Sequence, residues 1–386
     1  MENKIIQRFI SADDHIDLRW LPQDLWTQRL PARLRERGPR VIEKDNGSYW
    51  TWEDKTFSPH GYYTAAQGSG AMWAIERGGV MRQGELRPTT AELRLADMDR
   101  DGADMSVMYG PTDPMPIADA ELRRYCNEAY NDWLAEFCAA KPERLIGVPQ
   151  LSLDDPLAAR DELERLAKRG GLKHVNILAS RATPPVYDNA WEPFWSLAEE
   201  VNVPVGFHLA VLVKKTRLTD ASQEIKNLVV STASRYAQEP PGMQLLEPLT
   251  GLIFTGVLDR HPQVKIVMAE AGLAWVPSMI QGLDIWYRRT RDGRRLTGDA
   301  PIELPKLLPS EYFHRQIWLS FVDDPLGVKM VGNVLDADKV MFGSDYPHPA
   351  STWPESQTVI EEQMLGLPEA VRQNILGANA RRLFGI

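Results

Sequence analysis

The residues of this chain best suited to chemistry are two histidines and two aspartates set far apart: Asp13, His15, His208 and Asp345. The first two belong to Asp13-Asp14-His15-Ile16-Asp17, three carboxylates and one imidazole within five residues, entered through an apolar run over 5–10. If 5–12 is a buried strand, Asp13 and His15 lie two apart on the same side and make half of a divalent-metal site. His208 ends Gly206-Phe207-His208, and Asp345 stands in Gly343-Ser344-Asp345-Tyr346-Pro347-His348. Two imidazoles and two carboxylates are a donor set for Zn2+, Mn2+ or Fe2+. Glu270, in Ala269-Glu270-Ala271-Gly272, and His348 are further candidates, as added ligands or as groups that carry protons. Each has an ordinary explanation when taken singly: His208 as a core histidine, Asp345 as an N-cap, His348 as a surface-turn residue. Several such groups converging on one place imply a cation or a tight polar network, because an unpartnered buried charge is costly.

The elements that must position them are eight short apolar runs, at 5–12, 104–109, 144–149, 172–178, 203–208, 264–269, 316–320 and 339–342. Helical patterns fall between them, at 91–99, 119–140, 156–169, 191–201 and 275–289, with 354–365 and 368–384 closing the chain. Over 119–140, Leu122, Cys126, Ala129, Trp133 and Phe137 recur at spacings of three and four, the mark of one buried helix face. Strand alternating with helix, with strands apolar on both faces, predicts an α/β fold of the (β/α)8 TIM-barrel type. Neither a Gly-x-Gly-x-x-Gly after an early strand nor a Gly-x-x-x-x-Gly-Lys-Ser/Thr is present, which argues against the nucleotide-binding folds. Barrels of this type carry their chemistry at the C-terminal ends of the strands, where the six candidates fall. His174 and Asn176, on the fourth strand, are expected to face the outer helices.

The chain, 1–386, reads as a single domain with long insertions after strands 1 and 5, over 19–96 and 210–244. The first insertion holds Trp50, Trp52, Tyr62, Tyr63 and Trp73, which suit either a stacked planar ligand or core packing. In the second, Lys214, Lys215 and Arg217 suit either an anion clamp or a solvated charge run. A net charge of -9 argues against nucleic-acid and anionic-membrane partners. The short apolar start and the lack of any run near the ~20 residues of a membrane span predict a cytoplasmic protein. Cys126 and Cys138, the only cysteines, offer no disulfide framework.

The blocks Ser11-Ala12-Asp13-Asp14-His15, Gly206-Phe207-His208, Ala269-Glu270-Ala271-Gly272-Leu273-Ala274-Trp275-Val276-Pro277 and Phe342-Gly343-Ser344-Asp345-Tyr346-Pro347-His348 resemble the amidohydrolase superfamily. They are most similar to the branch of aminocarboxymuconate-semialdehyde decarboxylase-like enzymes, and 374–384 resembles that family's closing helix. The resemblance implies metal ligands at Asp13, His15, His208 and Asp345; Glu270 and His348 are open as further ligands if a second ion is bound. It departs from the family at two places: Asp13 stands where His or Glu is frequent, and Glu270 where several decarboxylases have a catalytic His. The implied function is hydrolysis of a C–N, C–O or C–C bond beside a carbonyl of a small organic substrate, aromatic ones included. Asp345, Glu270 and His348 would be the catalytic residues and a metal-activated water the nucleophile. Zinc is the expected ion, with manganese or iron as alternatives and one or two ions bound. The alternatives are non-oxidative decarboxylation of a small carboxylic acid, dinuclear iron or manganese oxygen chemistry, and an inactive partner subunit. A homodimer or other oligomer is expected by analogy with the class.

Overall fold

Successive side chains of a strand point to opposite faces, so a run that is apolar at every position must be buried on both. The computed structural model, which describes residues 7–61, 72–82, 84–112, 115, 117–209, 241–294 and 303–386, shows these runs as strands. All strands in chain order are β1 (Phe9–His15), then β2 (Arg40–Lys44), β3 (Gly47–Trp52) and β4 (Lys55–Pro59), which are not among those runs, then β5 (Ala103–Tyr109) and β6 (Leu145–Gly147). There follow β7 (Val175–Ile177), β8 (Val205–His208), β9 (Ile266–Ala269), β10 (Ile317–Phe321) and β11 (Val340–Phe342). The protein has a mixed α/β fold with parallel sheets, ordered β1-β5-β6 and β7-β8-β9-β10-β11. A parallel bridge between Gln150 and Asn176 joins β6 to β7. At the other seam Asp345 N donates to Asp13 O at 2.8 Å and His15 N donates to Tyr346 O at 2.7 Å. This order is consistent with a (β/α)8 barrel.

Both strand faces are packed. Val175, Ile177, Val205, Phe207, Ile266, Met268 and Phe342 join one buried cluster with the helices. Their neighbours Val107, Tyr109, Val267, Ala269 and Met341 form a second cluster, which Leu383 and Phe384 of the closing helix Asn379–Phe384 complete. Helix ends follow from local chemistry. Asp119 caps helix Ala120–Cys138 by accepting from Leu122 N, and Asp155 caps Pro156–Arg169 from Leu157 N and Ala158 N. Helix Ala91–Asp101 stops where Gly102 takes φ 87°, a left-handed cap open to glycine.

Several expectations change. Among the described residues the first strand runs over Phe9–His15, past the expected end at residue 12, so Asp13 and His15 lie within it, while residues 5 and 6 of the expected run lie outside the described residues. His174 and Asn176 face inward: His174 Nε2 is 2.8 Å from Tyr109 Oη, and Asn176 Nδ2 donates to Gln150 Oε1 at 3.4 Å. Val175 and Ile177 take the helix-facing places instead, a one-residue difference in register that exchanges the two faces. Within 19–96, β2, β3 and β4 form an antiparallel sheet. Trp50 and Trp52 are buried in the core, and Trp50 packs edge-on against Trp26 at 4.6 Å, so these rings pack the fold. Tyr62, Tyr63 and residues 210–240, with Lys214, Lys215 and Arg217, lie outside the described residues. Among the described residues, no helix is long and apolar enough to cross a membrane.

Asp101 ties the helix it ends to the C-terminal region, accepting from Ser356 N at 3.1 Å and from Ser356 Oγ. Burial pushes its carboxyl up to about 6 in spite of these bonds. The folded chain therefore holds this proton more tightly than the unfolded chain, whose ordinary value is 3.8. Its contribution grows as pH falls from above 6 to below 4 and is lost as pH rises, a swing of roughly 3 kcal/mol. Asp101→Asn should therefore gain stability relative to wild type between pH 5 and pH 8 in thermal unfolding. A difference independent of pH would refute the assignment.

Candidate metal centre

The end of β1 sets the geometry. Pairing with β5 shifts register between Ser11 and Asp14, a bulge that re-aims the following side chains. Asp13 and His15 thereby turn toward His208 at the end of β8, while Asp14 turns the other way. Asp13, His15 and His208 are fully buried and Asp345 nearly so. Asp13 Oδ1 lies 3.2 Å from His208 Nε2 and 3.6 Å from His15 Nε2. His15 Nε2 is 3.2 Å from Asp345 Oδ1. Glu270 Oε2 approaches His208 Nε2 at 3.8 Å. His348 Nδ1 lies 2.7 Å from Asp345 Oδ1, and its ring stacks on that of His15 at 3.9 Å. The structure thus brings together all six residues singled out from the sequence.

Two further residues belong to the cluster. Asp17, within the opening acidic group but given no role there, lies 3.0 Å from His348 Nε2. Ser320, at the end of β10, donates to Asp13 Oδ2 at 3.2 Å and accepts from Glu270 N at 2.9 Å. The signal for Ser320 was a polar residue closing an apolar strand. His174 is not part of the cluster, since its Nδ1 is engaged by Pro204 O at 2.9 Å. Burial lowers it to about 4 and keeps it neutral.

The donor set fits a divalent cation. Ligand atoms of three groups lie within 4.8 Å of one another: Asp13, His15 and His208; His15, Glu270 and Asp345; His15, Asp17 and His348. The buried atoms His15 Nε2 and Asp345 Oδ1 and Oδ2 satisfy no hydrogen-bond geometry despite their close neighbours, and a cation would supply that partner. His208 Nδ1 is bonded to Leu209 O at 2.7 Å, which leaves Nε2 directed at Asp13. Glu270 and Asp345 hold left-handed backbones at φ 55° and 59°, unusual for these residues and found where a site over-determines the chain.

Charge is balanced within the cluster. Burial disfavours the His208 imidazolium, but Asp13 and Glu270 outweigh it and lift the ring to about 9. Burial and the Asp345 charge push Glu270 up to about 8. Burial and the neighbouring His348 lower His15. Against the cost of burial, His348 and His15 hold Asp345 below the usual carboxylate range, while Asp345 and Asp17 hold His348 high.

Behind the cluster sits Asp14. Its Oδ1 accepts from Ser11 Oγ at 2.7 Å, Ser344 Oγ at 2.6 Å and Tyr346 N at 3.2 Å, and its Oδ2 accepts from Ser106 Oγ. Arg94 lies 3.7 Å from Asp14 Oδ2 and donates to His15 O at 3.0 Å. Arg94→Met leaves Asp14 buried without its cation and should cost about 3–5 kcal/mol, read as a fall in Tm. Gly343 presses on Asp13: a Cβ there would stand 2.4 Å from Asp13 Cβ. Gly343→Ala should therefore lower the content of bound divalent metal several-fold, by elemental analysis of folded protein. An unchanged metal content would show that Asp13 does not hold the ion.

A family model described as amidohydrolase matches residues 22–386. The match begins past Asp13 and His15, whose placement rests on geometry. Gamma-resorcylate decarboxylase of Rhizobium radiobacter is 28% identical over 272 residues, covering 66% of this chain and 74% of that protein. The 2-amino-3-carboxymuconate-6-semialdehyde decarboxylase of Dictyostelium discoideum is 24% identical over 306 residues, 76% of each chain. Among solved structures, 5-carboxyvanillate decarboxylase of Sphingomonas paucimobilis aligns with TM-score 0.67 at 22% identity, covering 98% of this chain and 99% of that one. Dihydroxybenzoic acid decarboxylase of Polaromonas sp. JS666, with bound manganese and the inhibitor 2-nitroresorcinol, aligns with TM-score 0.62 at 18% identity, covering 98% and 97%. These named relatives are decarboxylases, which favours the decarboxylase alternative over the hydrolytic expectation. The chain belongs to the amidohydrolase superfamily, in the family of aminocarboxymuconate-semialdehyde decarboxylase-like proteins.

Proposed function

We propose that the protein is a divalent-metal-dependent, non-oxidative decarboxylase of an aromatic or related unsaturated carboxylic acid, built on a closed (β/α)8 barrel. The observation that carries this reading is the convergence of Asp13, His15, His208 and Asp345 at adjoining strand ends, in a chain whose named relatives release CO2 from such acids. These four residues would hold one ion. His15 belongs to all three candidate ligand groups, which supports a single shared ion over two. Manganese is the proposed ion, by analogy with the manganese-bound relative, in place of the expected zinc. When bound, it supplies positive charge that holds an anionic substrate and offsets charge developing on it.

In the reaction the bond from ring or vinyl carbon to carboxylate carbon breaks, its electron pair stays on the carbon, and a proton takes the place of CO2. Glu270 occupies the position of the histidine found in several decarboxylases. Its side chain is one-fifth exposed, and it is pushed toward its neutral form by burial and Asp345, so a carboxylic acid stands where that imidazole would donate. His348, between Asp17 and Asp345, fixes the direction of the Asp345 carboxylate.

Manganese-loaded protein should release CO2 from hydroxylated benzoic acids, measured alongside a panel of amides, esters and lactones. Hydrolysis of the panel without CO2 release would overturn the proposal. Asp345→Asn should keep the fold by circular dichroism and lose at least about 100-fold in turnover. Near-normal rates would remove Asp345 from its role.

A further inference from the structure

The chain beyond β5, β6 and β7 lines a cavity of about 390 Å³, within the range of about 300–1,000 Å³ for small-molecule sites. Leu18, Trp26, Met115, Ile117, Leu151 and Leu178 make most of its wall apolar. Six polar or charged residues also line it: Arg123, Asn127, Tyr130, Gln150, Asp154 and Arg181. Tyr130 Oη and Gln150 Nε2 are buried and meet no hydrogen-bonding partner among the described residues. Buried polar groups ordinarily have partners, and leaving one unmet costs about 1–3 kcal/mol.

The two groups converge. A Cβ built on Gly110 would stand 2.6 Å from Gln150 Nε2 and 2.8 Å from Tyr130 Oη, so both polar ends pack against the Gly110 backbone and lie close to each other, an approach that any side chain there would block. Gln150 is held there on purpose-built contacts. Its N donates to Asn131 Oδ1 at 2.9 Å, and Asn131 Nδ2 donates to its carbonyl at 3.0 Å. Asn176 Nδ2 donates to Gln150 Oε1 at 3.4 Å, which leaves Nε2 as the free donor. Arg123 at the rim is already paired with Asp154. The chain links the cavity wall to the cluster at two places. Gly110 follows Tyr109, whose ring lies 4.9 Å from that of His208, and Leu18 follows Asp17, the partner of His348.

We propose that this cavity is a subsite for the far end of the substrate, an apolar planar body bearing a neutral hydroxyl or carbonyl group, and that Tyr130 and Gln150 determine specificity for that group. The proposal rests on the decarboxylase reading only for the carboxylate at the other end. A hydroxyl accepts from Gln150 Nε2 while exchanging a hydrogen bond with Tyr130 Oη, and a carbonyl accepts from both. An unsubstituted ring leaves both unmet, and a site built to bond a polar group rejects analogues that lack it.

The test is calorimetric binding of benzoate, 3-hydroxybenzoate and 4-hydroxybenzoate to the manganese-loaded protein and to Tyr130→Phe and Gln150→Leu. In wild type at least one hydroxyl should tighten binding about tenfold over benzoate. Each variant should cut that gain to under twofold while holding benzoate within twofold of wild type. A hydroxyl gain that survives in both variants would overturn the subsite, as would wild type binding all three probes equally or none of them. Binding is read separately from CO2 release. A protein that shows the hydroxyl gain but releases no CO2 refutes the decarboxylase reading and keeps the subsite. One that releases CO2 without the gain does the reverse.

Discussion

The constraint on which the structure depends is the burial of charge at the seam between β1 and β11. Asp13, Asp14, His15 and Asp345 are all removed from water there, within a few residues of one another on either strand. An uncompensated buried charge costs several kcal/mol, so each must meet an opposite charge, a hydrogen-bond donor or a cation. Asp14 is met by three hydroxyls, one backbone N–H and Arg94. Asp13 is met by His208, His15 and Ser320. The main-chain bonds Asp345 N to Asp13 O and His15 N to Tyr346 O then hold the two strand ends at one height. Closing the seam and assembling the site are one event.

That coupling extends outward through residues that touch neither substrate nor ion. Arg94 reaches the carbonyls of His15 and Pro88, and its guanidinium lies over the Tyr346 ring at 5.1 Å. Tyr346 Oη donates to Asp97 Oδ2 at 2.6 Å, and Asp97 is paired with Arg87 at 2.7 Å. Helix Ala91–Asp101 therefore clamps both strand ends from behind, one through Asp14 and the other through Tyr346. The segment between β1 and β5 adds apolar support, with Trp50 Nε1 donating to Leu18 O at 2.6 Å just past Asp17. Tryptophans that suit ligand stacking are spent here on holding the chain that leaves the site.

Function follows from which groups are left for an incoming molecule. His208 Nδ1 is bound to backbone and His174 is committed on both nitrogens, so neither ring can turn. Glu270 keeps a face open, its backbone held in the left-handed region and its N–H anchored on Ser320. Tyr130 and Gln150 stand to one side in an apolar hollow.

The sequence by itself determined the alternation of strand and helix, because apolar period and capping chemistry are local, as Asp119, Asp155 and Gly102 show. It also singled out the six residues that the fold brings together, because chemistry-bearing side chains at the ends of apolar runs are visible one by one. Which way a strand faces was decided only by tertiary structure. His174 and Asn176 are turned inward by pairing with neighbouring strands, and a bulge between Ser11 and Asp14 decides which of two adjacent aspartates faces the cluster. Asp17, Ser320, Arg94, Tyr130 and Gln150 gained their roles in the same way, since a partner tens or hundreds of residues distant leaves no mark on local pattern. Distances between such partners exist only once the strands have been laid side by side.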